Sequence, residues 1–128
     1  MPIDYRIDAR EHLVVTTIYG RVDEAQVRAH AAKAARDPNV QRCDRALVDI
    51  AADVEALIES KVISELSLPN ADVPSPRRVA VVAPSDMSYG LARVFQGYRE
   101  SAGDGVVQVF RTRAEAERWL GIAERESR

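Results

Sequence analysis

Apolar and polar positions alternate at the start of the chain, which is the pattern of a β-strand with one covered face. Residues 3 to 8 alternate in this way, and residues 12 to 19 are rich in β-branched side chains, which suit a pleated sheet. Residues 9 to 11 leave room only for a tight turn between the two segments. The sequence therefore predicts an antiparallel hairpin whose second strand ends at Gly20.

The spacing of apolar residues becomes helical after the hairpin. Asp23 can cap a helix in which Val27, Ala31 and Ala34 share one face, and the small side chains on that face let a helix lie close to a sheet. A second helical pattern runs from about Val54 to Leu68 and is followed by a proline-rich surface loop.

Three short apolar runs predict the remaining strands. Ala46 to Ile50 and Val79 to Ala83 are typical of strands covered on both faces, as in parallel sheets, and Val106 to Phe110 forms the last strand. Ser85 caps a helix that runs to about Ser101. Thr112 and Glu115 are spaced as a capping box for a final helix, which Gly121 is placed to end.

The predicted order of elements is β-β-α-β-α-β-α-β-α. Strands that alternate with helices favour an α/β fold with a mostly parallel sheet of about five strands, and the opening hairpin places one antiparallel strand at an edge. A chain of 128 residues has the usual size of one domain. Residues 1–121 are expected to form that domain and residues 122–128 a C-terminal tail.

Composition narrows the classes of function. A net charge of −2 offers no basic surface for a nucleic-acid backbone, so no nucleic-acid partner is expected. No apolar run approaches the roughly 20 residues of a transmembrane helix, and the first ten residues lack the charge pattern of a signal peptide. We therefore expect a cytoplasmic protein. Cys43, His12 and His30 show no metal-ligand spacing, and neither a metal nor another cofactor is predicted.

Four segments together resemble the SpoIIAA-like small bacterial proteins, which are relatives of the STAS domains of anti-sigma-factor antagonists and are also grouped with Sec14-type lipid-binding domains. These segments are HLVVTTIYGRV, RALVDI, RRVAVVAPSDMSYGLARVFQ and VQVFRTRAEAERWLG. The resemblance extends over nearly the whole chain and is most specific from Ala80 to Phe95 and in the VFR-x-x-AEAxxWL ending. It implies a compact β/α fold, a tendency to pair with other chains, and no established enzymatic activity.

The chain departs from that family at one functional position. In anti-sigma-factor antagonists a phosphorylatable Ser or Thr follows the Asp that ends the central strand. Here Asp49 and Ile50 are followed by Ala51, Ala52 and Asp53, and no hydroxyl occurs before Ser60. A switch in which a phosphate adds about two negative charges is therefore not expected.

The helix from Asp86 carries two unlike faces on a helical wheel. The predicted core stripe consists of Met87, Leu91, Val94, Phe95 and Tyr98. Tyr89, Arg93 and Gln96 fall opposite, together with Glu100. That face is either an ordinary solvated surface or a partner surface, since Tyr and Arg often carry interface energy.

Two glycines lie along a third line of the same helix. Gly90 and Gly97 each cost roughly 1 kcal/mol against alanine. The close approach of another element, such as a symmetry-related helix, would compensate for that cost.

Ser85 and Asp86 lie at the carboxyl end of a strand, where open α/β sheets place ligands. Helix capping explains Ser85 better than anion binding does, because Asp86 already satisfies the positive end of the helix. Asp49, Asp53 and Asp86 could act as a general acid and a general base only if the fold brought their carboxyl groups together and their environments gave them different pKa values. Strand-end carboxylates that bind backbone amides are the simpler interpretation, and no catalytic residue is predicted.

Two functions remain open. The first is a non-catalytic STAS-like interaction or regulatory domain that binds a protein partner and pairs as a homodimer. Its candidate binding residues are Tyr89, Arg93, Gln96, Asp53, Ser85 and Asp86. The alternative is a Sec14-like module for a small apolar ligand or lipid, with a pocket under a helix at residues 57–68, whose apolar surface is broader than one sheet contact needs.

Overall fold

The computed structural model describes residues 3–57, 78–101 and 106–122. Its strands are β1 (Ile3–Asp8), β2 (Leu13–Ile18), β3 (Arg21–Asp23), β4 (Arg45–Ile50), β5 (Glu55–Leu57), β6 (Arg78–Val82) and β7 (Val106–Phe110). Its helices are α1 (Glu24–Ala35), α2 (Pro38–Gln41), α3 (Asp86–Ser101) and α4 (Arg113–Leu120). None of these helices has the length and apolar character that a membrane span requires.

Five strands form the main sheet, in the order β1-β2-β4-β6-β7. β1 pairs antiparallel with β2, and the other neighbours are parallel. The predicted α/β class, with a mostly parallel sheet and an antiparallel strand at the N-terminal edge, is confirmed. The register places Thr16 of β2 between Tyr5 of β1 and Val48 of β4, and Val48 beside Val81 of β6. These four side chains therefore point to the same face of the sheet.

The face that carries Thr16 and Val48 is here called the front face, and it is covered by α1, α2 and α3. Its buried cluster contains Val14, Cys43, Ala46, Val79, Val81, Ala83, Ala92 and Val107. The opposite, back face is covered by α4. Its buried cluster contains Leu13, Val15, Leu47, Ala80, Val82, Ala116, Leu120 and Ile122. Ile122, which was predicted to begin a tail, therefore belongs to the core.

Two arginines hold the C-terminal end of α4 against the back face. The Arg45 guanidinium donates to the Leu120 carbonyl at 2.6 Å, and that of Arg78 donates to the Trp119 carbonyl at 2.6 Å. Arg78 also stacks over the Trp119 ring at 4.3 Å. Carbonyls at a helix C-terminus have no partner within the helix and carry its negative end, so both cations stabilise α4 there.

The helix ends follow the predicted capping chemistry. The Asp23 side chain accepts from Gln26 N and the Gln26 side chain accepts from Asp23 N, which completes a capping box. Thr112 accepts from Glu115 N. Gly121 takes a left-handed φ of 82°, and Ile122 N then donates back to Glu117 O at 2.9 Å. That turn carries Ile122 into the back-face cluster.

Some segments differ from their predicted structure. Val54, expected to begin a helix, is buried just before β5, and β5 pairs in parallel with β3 outside the main sheet. The rest of the predicted second helix and the proline-rich loop lie outside the described residues. Pro38 begins the short helix α2, because proline suits a first helical position and Asp37 accepts from Asn39 N.

The second strand also begins one residue later than predicted. His12 takes a left-handed φ of 53°, and its carbonyl accepts from the backbone N–H groups of Asp44 and Arg45. His12 therefore belongs to the turn that precedes β2, and histidine is among the residues that enter this backbone region more readily than most.

We predict that Arg45→Met destabilises the protein by about 2–3 kcal/mol. The Arg45 side chain is only 19% exposed and pairs at 3.0 Å with Glu11, whose side chain is 10% exposed. The substitution removes the Arg45 donor from that carboxylate and from the Leu120 carbonyl. Urea unfolding measures the difference. Arg42→Met is the control, because Arg42 is exposed and should change stability by no more than about 0.5 kcal/mol. Equal stability of the two variants would contradict the prediction.

Candidate functional site

A cavity of ≈ 290 Å³ lies on the front face, between the sheet and the helices α1 and α3. Thr16, Ile18, Val48, Ile50 and Val81 form its floor. The walls come from Val27, His30 and Ala31 of α1 and from Ser88, Leu91, Ala92 and Phe95 of α3. Val22 and Val54, both buried, close one end.

The cavity exists because α1 does not pack tightly on the sheet. None of the residues of α1 is buried, although its apolar face points to the sheet. Tyr5 of β1 supports the helix near the sheet edge, since its ring makes an edge contact with the His30 ring at 5.6 Å between centroids and lies under the Lys33 ammonium at 5.4 Å. Tyr5 lies at the sheet edge, and Ala31, next to His30 on α1, has a small side chain. An apolar space therefore remains between α1 and the inner strands of the sheet.

Among the described residues, the lining is apolar except for three side chains, Thr16, His30 and Ser88. Ser88 is 2% exposed and its hydroxyl lies 2.8 Å from the Ser85 hydroxyl and 3.2 Å from the Ser85 carbonyl. Its polar atoms are therefore engaged by the start of α3. Within the described part of the chain, neither the Thr16 hydroxyl nor the His30 ring nitrogens form a hydrogen bond with a protein group.

The environment of His30 disfavours its charged form. Burial lowers the pKa of His30 from its ordinary value of 6.5, the nearby charge of Lys33 lowers it further, and Asp4 acts in the opposite direction. His30 is therefore a neutral imidazole at pH 7, with one nitrogen that donates and one that accepts.

The predicted partner surface on α3 is wrong at Gln96. This side chain is 6% exposed, and its amide donates to the Val107 carbonyl at 2.8 Å. The helix is turned by about one residue from the predicted wheel, because the small Ser88 and Ala92 face the sheet and allow a close approach. Two predicted core residues, Met87 and Tyr98, are instead 43% and 40% exposed.

Tyr89 is half-buried rather than freely presented. Arg111 stacks over the Tyr89 ring at 4.2 Å and also pairs with Asp86 at 3.1 Å. Arg93 is exposed, as predicted for that face. The structure thus separates the three residues of the predicted surface into a buried Gln96, a stacked Tyr89 and an exposed Arg93.

The residues predicted at the carboxyl ends of the strands have structural partners. Ser85 caps α3, with its hydroxyl accepting from Ser88 N at 3.1 Å, which confirms the capping interpretation. Asp86 pairs with Arg111, while Asp49 pairs at 3.0 Å with Arg113 of α4. Asp53 lies exposed in the turn before β5. Two of the three aspartates are thus held by different arginines.

No group of three or more metal-ligating side chains occurs among residues 3–57, 78–101 and 106–122. Cys43 is buried, and its thiol donates to the Asn39 carbonyl at 3.4 Å. Burial raises the pKa of this thiol, and the charges of Asp44 and Asp37 add to the effect. Cys43 therefore serves the packing between α2 and the sheet.

Comparison with known proteins identified no relative of this chain. The chain matches no protein-family model, no curated protein and no solved structure. The resemblance to SpoIIAA-like proteins thus stays a prediction from the sequence.

Thr16 and His30, the two polar lining residues that make no hydrogen bond within the described chain, were not identified from the sequence. In the sequence, Thr16 has the pattern of an ordinary β-branched strand residue, and His30 is a single histidine beside the apolar face of a helix. The available signal was the weak apolar face of α1, whose valine and alanines cannot fill the space over a broad sheet. The Tyr5 ring that contacts His30 belongs to another element, so no local pattern in α1 shows it.

We predict that Gly90→Ala and Gly97→Ala each stabilise the protein by about 0.5–1 kcal/mol. A Cβ at either glycine meets no atom of the described residues within 4 Å, and neither glycine has a positive φ. Urea unfolding gives the stability and light scattering the mass. Gly121→Ala is the opposite control and should destabilise by about 1 kcal/mol, because φ is 82° there. Dissociation of a dimer by both helical variants would instead indicate that the glycines line an interface between copies.

The lowered pKa of His30 predicts that the protein loses stability as the pH falls below 6.5. Between the folded-state pKa and 6.5 the unfolded chain binds more protons than the folded one, so protonation favours unfolding. Unfolding free energies on both sides of that window should show the loss, and His30→Gln should reduce it. An NMR titration in which the His30 ring titrates above 6.5 would contradict the prediction.

Proposed function

We propose that this protein binds a small apolar ligand in the front-face cavity, and that its role is binding rather than catalysis. The main observation in support of this proposal is the cavity itself. It lies on the parallel sheet, and its described lining residues are mostly aliphatic or aromatic with a few polar groups among them. Ligand sites have this composition in general.

The size of the cavity limits the ligand. A dry cavity of about 150 Å³ lined by similar side chains binds benzene, so ≈ 290 Å³ suits a molecule of on the order of a dozen non-hydrogen atoms. This is near the lower limit of the usual range for ligand pockets, about 300–1,000 Å³. A phospholipid with two full acyl chains exceeds that volume.

Two further points support an apolar ligand over the STAS-like interaction domain. The grouping of the resembled family with Sec14-type domains agrees with a lipid-like ligand. The surface predicted for a protein partner is interrupted, because Gln96 is buried and Tyr89 lies under Arg111. Homodimer formation and a cytoplasmic location remain predictions from the sequence.

We predict that Ala31→Leu lowers the affinity for naphthalene by about tenfold, since a loss of 1.4 kcal/mol corresponds to that factor. Ala31 lines the cavity from α1, and a larger side chain there occupies ligand space. The same change should stabilise the free protein by about 1 kcal/mol, as filling a cavity does. Isothermal titration calorimetry gives the affinity and thermal unfolding the stability.

Ala32→Leu is the matched control for this experiment. Ala32 is the next residue of α1, is exposed, and is not part of the lining. It tests for effects of an added leucine on the helix alone and should leave naphthalene binding unchanged. Wild-type protein that binds no naphthalene, and that carries no copurified small molecule in native mass spectrometry, would refute the proposed function.

A further inference from the structure

We propose that the ligand of this cavity is an uncharged amphiphile, with an apolar body and one oxygen head group that Thr16 and His30 hold by hydrogen bonds. This inference rests on the proposed function and specifies its ligand class. It follows from where the cavity places its polar groups and from the charges around them.

Thr16 and His30 lie at the same corner of the cavity, because both are neighbours of Tyr5. Thr16 pairs with Tyr5 across the two strands of the hairpin, and the His30 ring contacts the Tyr5 ring at 5.6 Å. The Tyr5 hydroxyl donates to Asp37 at 2.6 Å and is therefore engaged elsewhere. The Thr16 hydroxyl and the His30 nitrogens are the groups of this corner that have no protein hydrogen bond in the described chain.

The third polar group of the lining, the Ser88 hydroxyl, is engaged with Ser85 and belongs to α3 on the other wall. The other lining residues within the described ranges carry apolar side chains. A ligand that fills the cavity therefore meets hydrogen-bonding groups at one end and hydrocarbon along the rest of its length. A molecule with a single head group satisfies both regions, since polar groups that are buried without a partner are costly.

The charges around the corner favour a neutral head group. Burial and Lys33 favour the neutral form of His30, so none of the described lining residues supplies a cation. The two charged groups that act on His30, Lys33 of α1 and Asp4 of β1, have opposite signs. Lys33 lies over the Tyr5 ring, and Asp4 accepts from the Tyr19 hydroxyl at 2.9 Å. A carboxylate buried here would lack a paired cation, and its desolvation would cost several kcal/mol.

The test compares naphthalene, 2-naphthol and 2-naphthoate, which share one apolar body and differ in the head group. Isothermal titration calorimetry at neutral pH gives the affinities for the whole wild-type chain. We expect 2-naphthol to bind about fivefold more tightly than naphthalene, which corresponds to one net hydrogen bond of about 1 kcal/mol. We expect 2-naphthoate to bind more weakly than 2-naphthol.

Two variants assign the difference to the polar corner. Thr16→Val keeps the shape of the side chain and removes its hydroxyl, and His30→Leu removes the ring nitrogens. Each should bring the affinity for 2-naphthol towards that for naphthalene measured on the same variant, so that the ratio of the two affinities approaches one. Thr17→Val is the matched control, because Thr17 is the exposed neighbour on the same strand and is not part of the lining.

The outcomes separate this inference from the proposed function. If naphthalene binds but 2-naphthol gains nothing over it, or if neither variant reduces that gain, the cavity binds apolar ligands and the inference about the head group is overturned. Tightest binding of 2-naphthoate would overturn the uncharged head group. If none of the three compounds binds, both proposals are refuted.

Discussion

The parallel ladder of β2, β4 and β6 is the constraint on which the rest of this structure depends. A parallel strand buried between two layers needs apolar cover on both faces. On the back face that cover is α4, whose carbonyl end is held by Arg45 and Arg78. On the front face the cover is divided between α1 and α3, and the ladder fixes which side chains lie between them: Thr16, Val48 and Val81 form one row.

The cavity results from an unequal approach of the two front helices. α3 comes close to the sheet because Ser88 and Ala92 are small, and Gln96 then reaches the carbonyl of Val107 on β7. No residue of α1 is buried, and the Tyr5 ring contacts His30 and Lys33 at the sheet edge, while the Tyr5 hydroxyl bonds to Asp37 beyond the end of the helix. Apolar space on a rigid floor, with polar groups at one corner, is the arrangement that a small amphiphile fits.

Much of the fold could be predicted from local patterns. The hairpin, the buried strands at Ala46 and Val79, and the caps at Asp23, Ser85 and Gly121 all depend on neighbouring residues, so their signals are complete within a few positions. The pairing of β3 with β5 was not foreseen, since each strand has only three residues and shows no period. Of the candidate site residues, Ser85 was correctly assigned to capping, whereas the outward position of Gln96 was wrong.

The sequence by itself determined the type and order of the longer elements in the described chain, because the hydrophobic period of a strand or helix is a local property. Only the tertiary structure decided which side of α3 faces the sheet. The helical wheel predicted that the large residues Met87 and Tyr98 face the sheet. In the structure the small residues Ser88 and Ala92 face it instead, because α3 packs close to strands that lie far away in the chain. The cavity was likewise decided only by the tertiary structure. Thr16, His30 and Tyr5 come together at one corner only when β1, β2 and α1 have packed against each other.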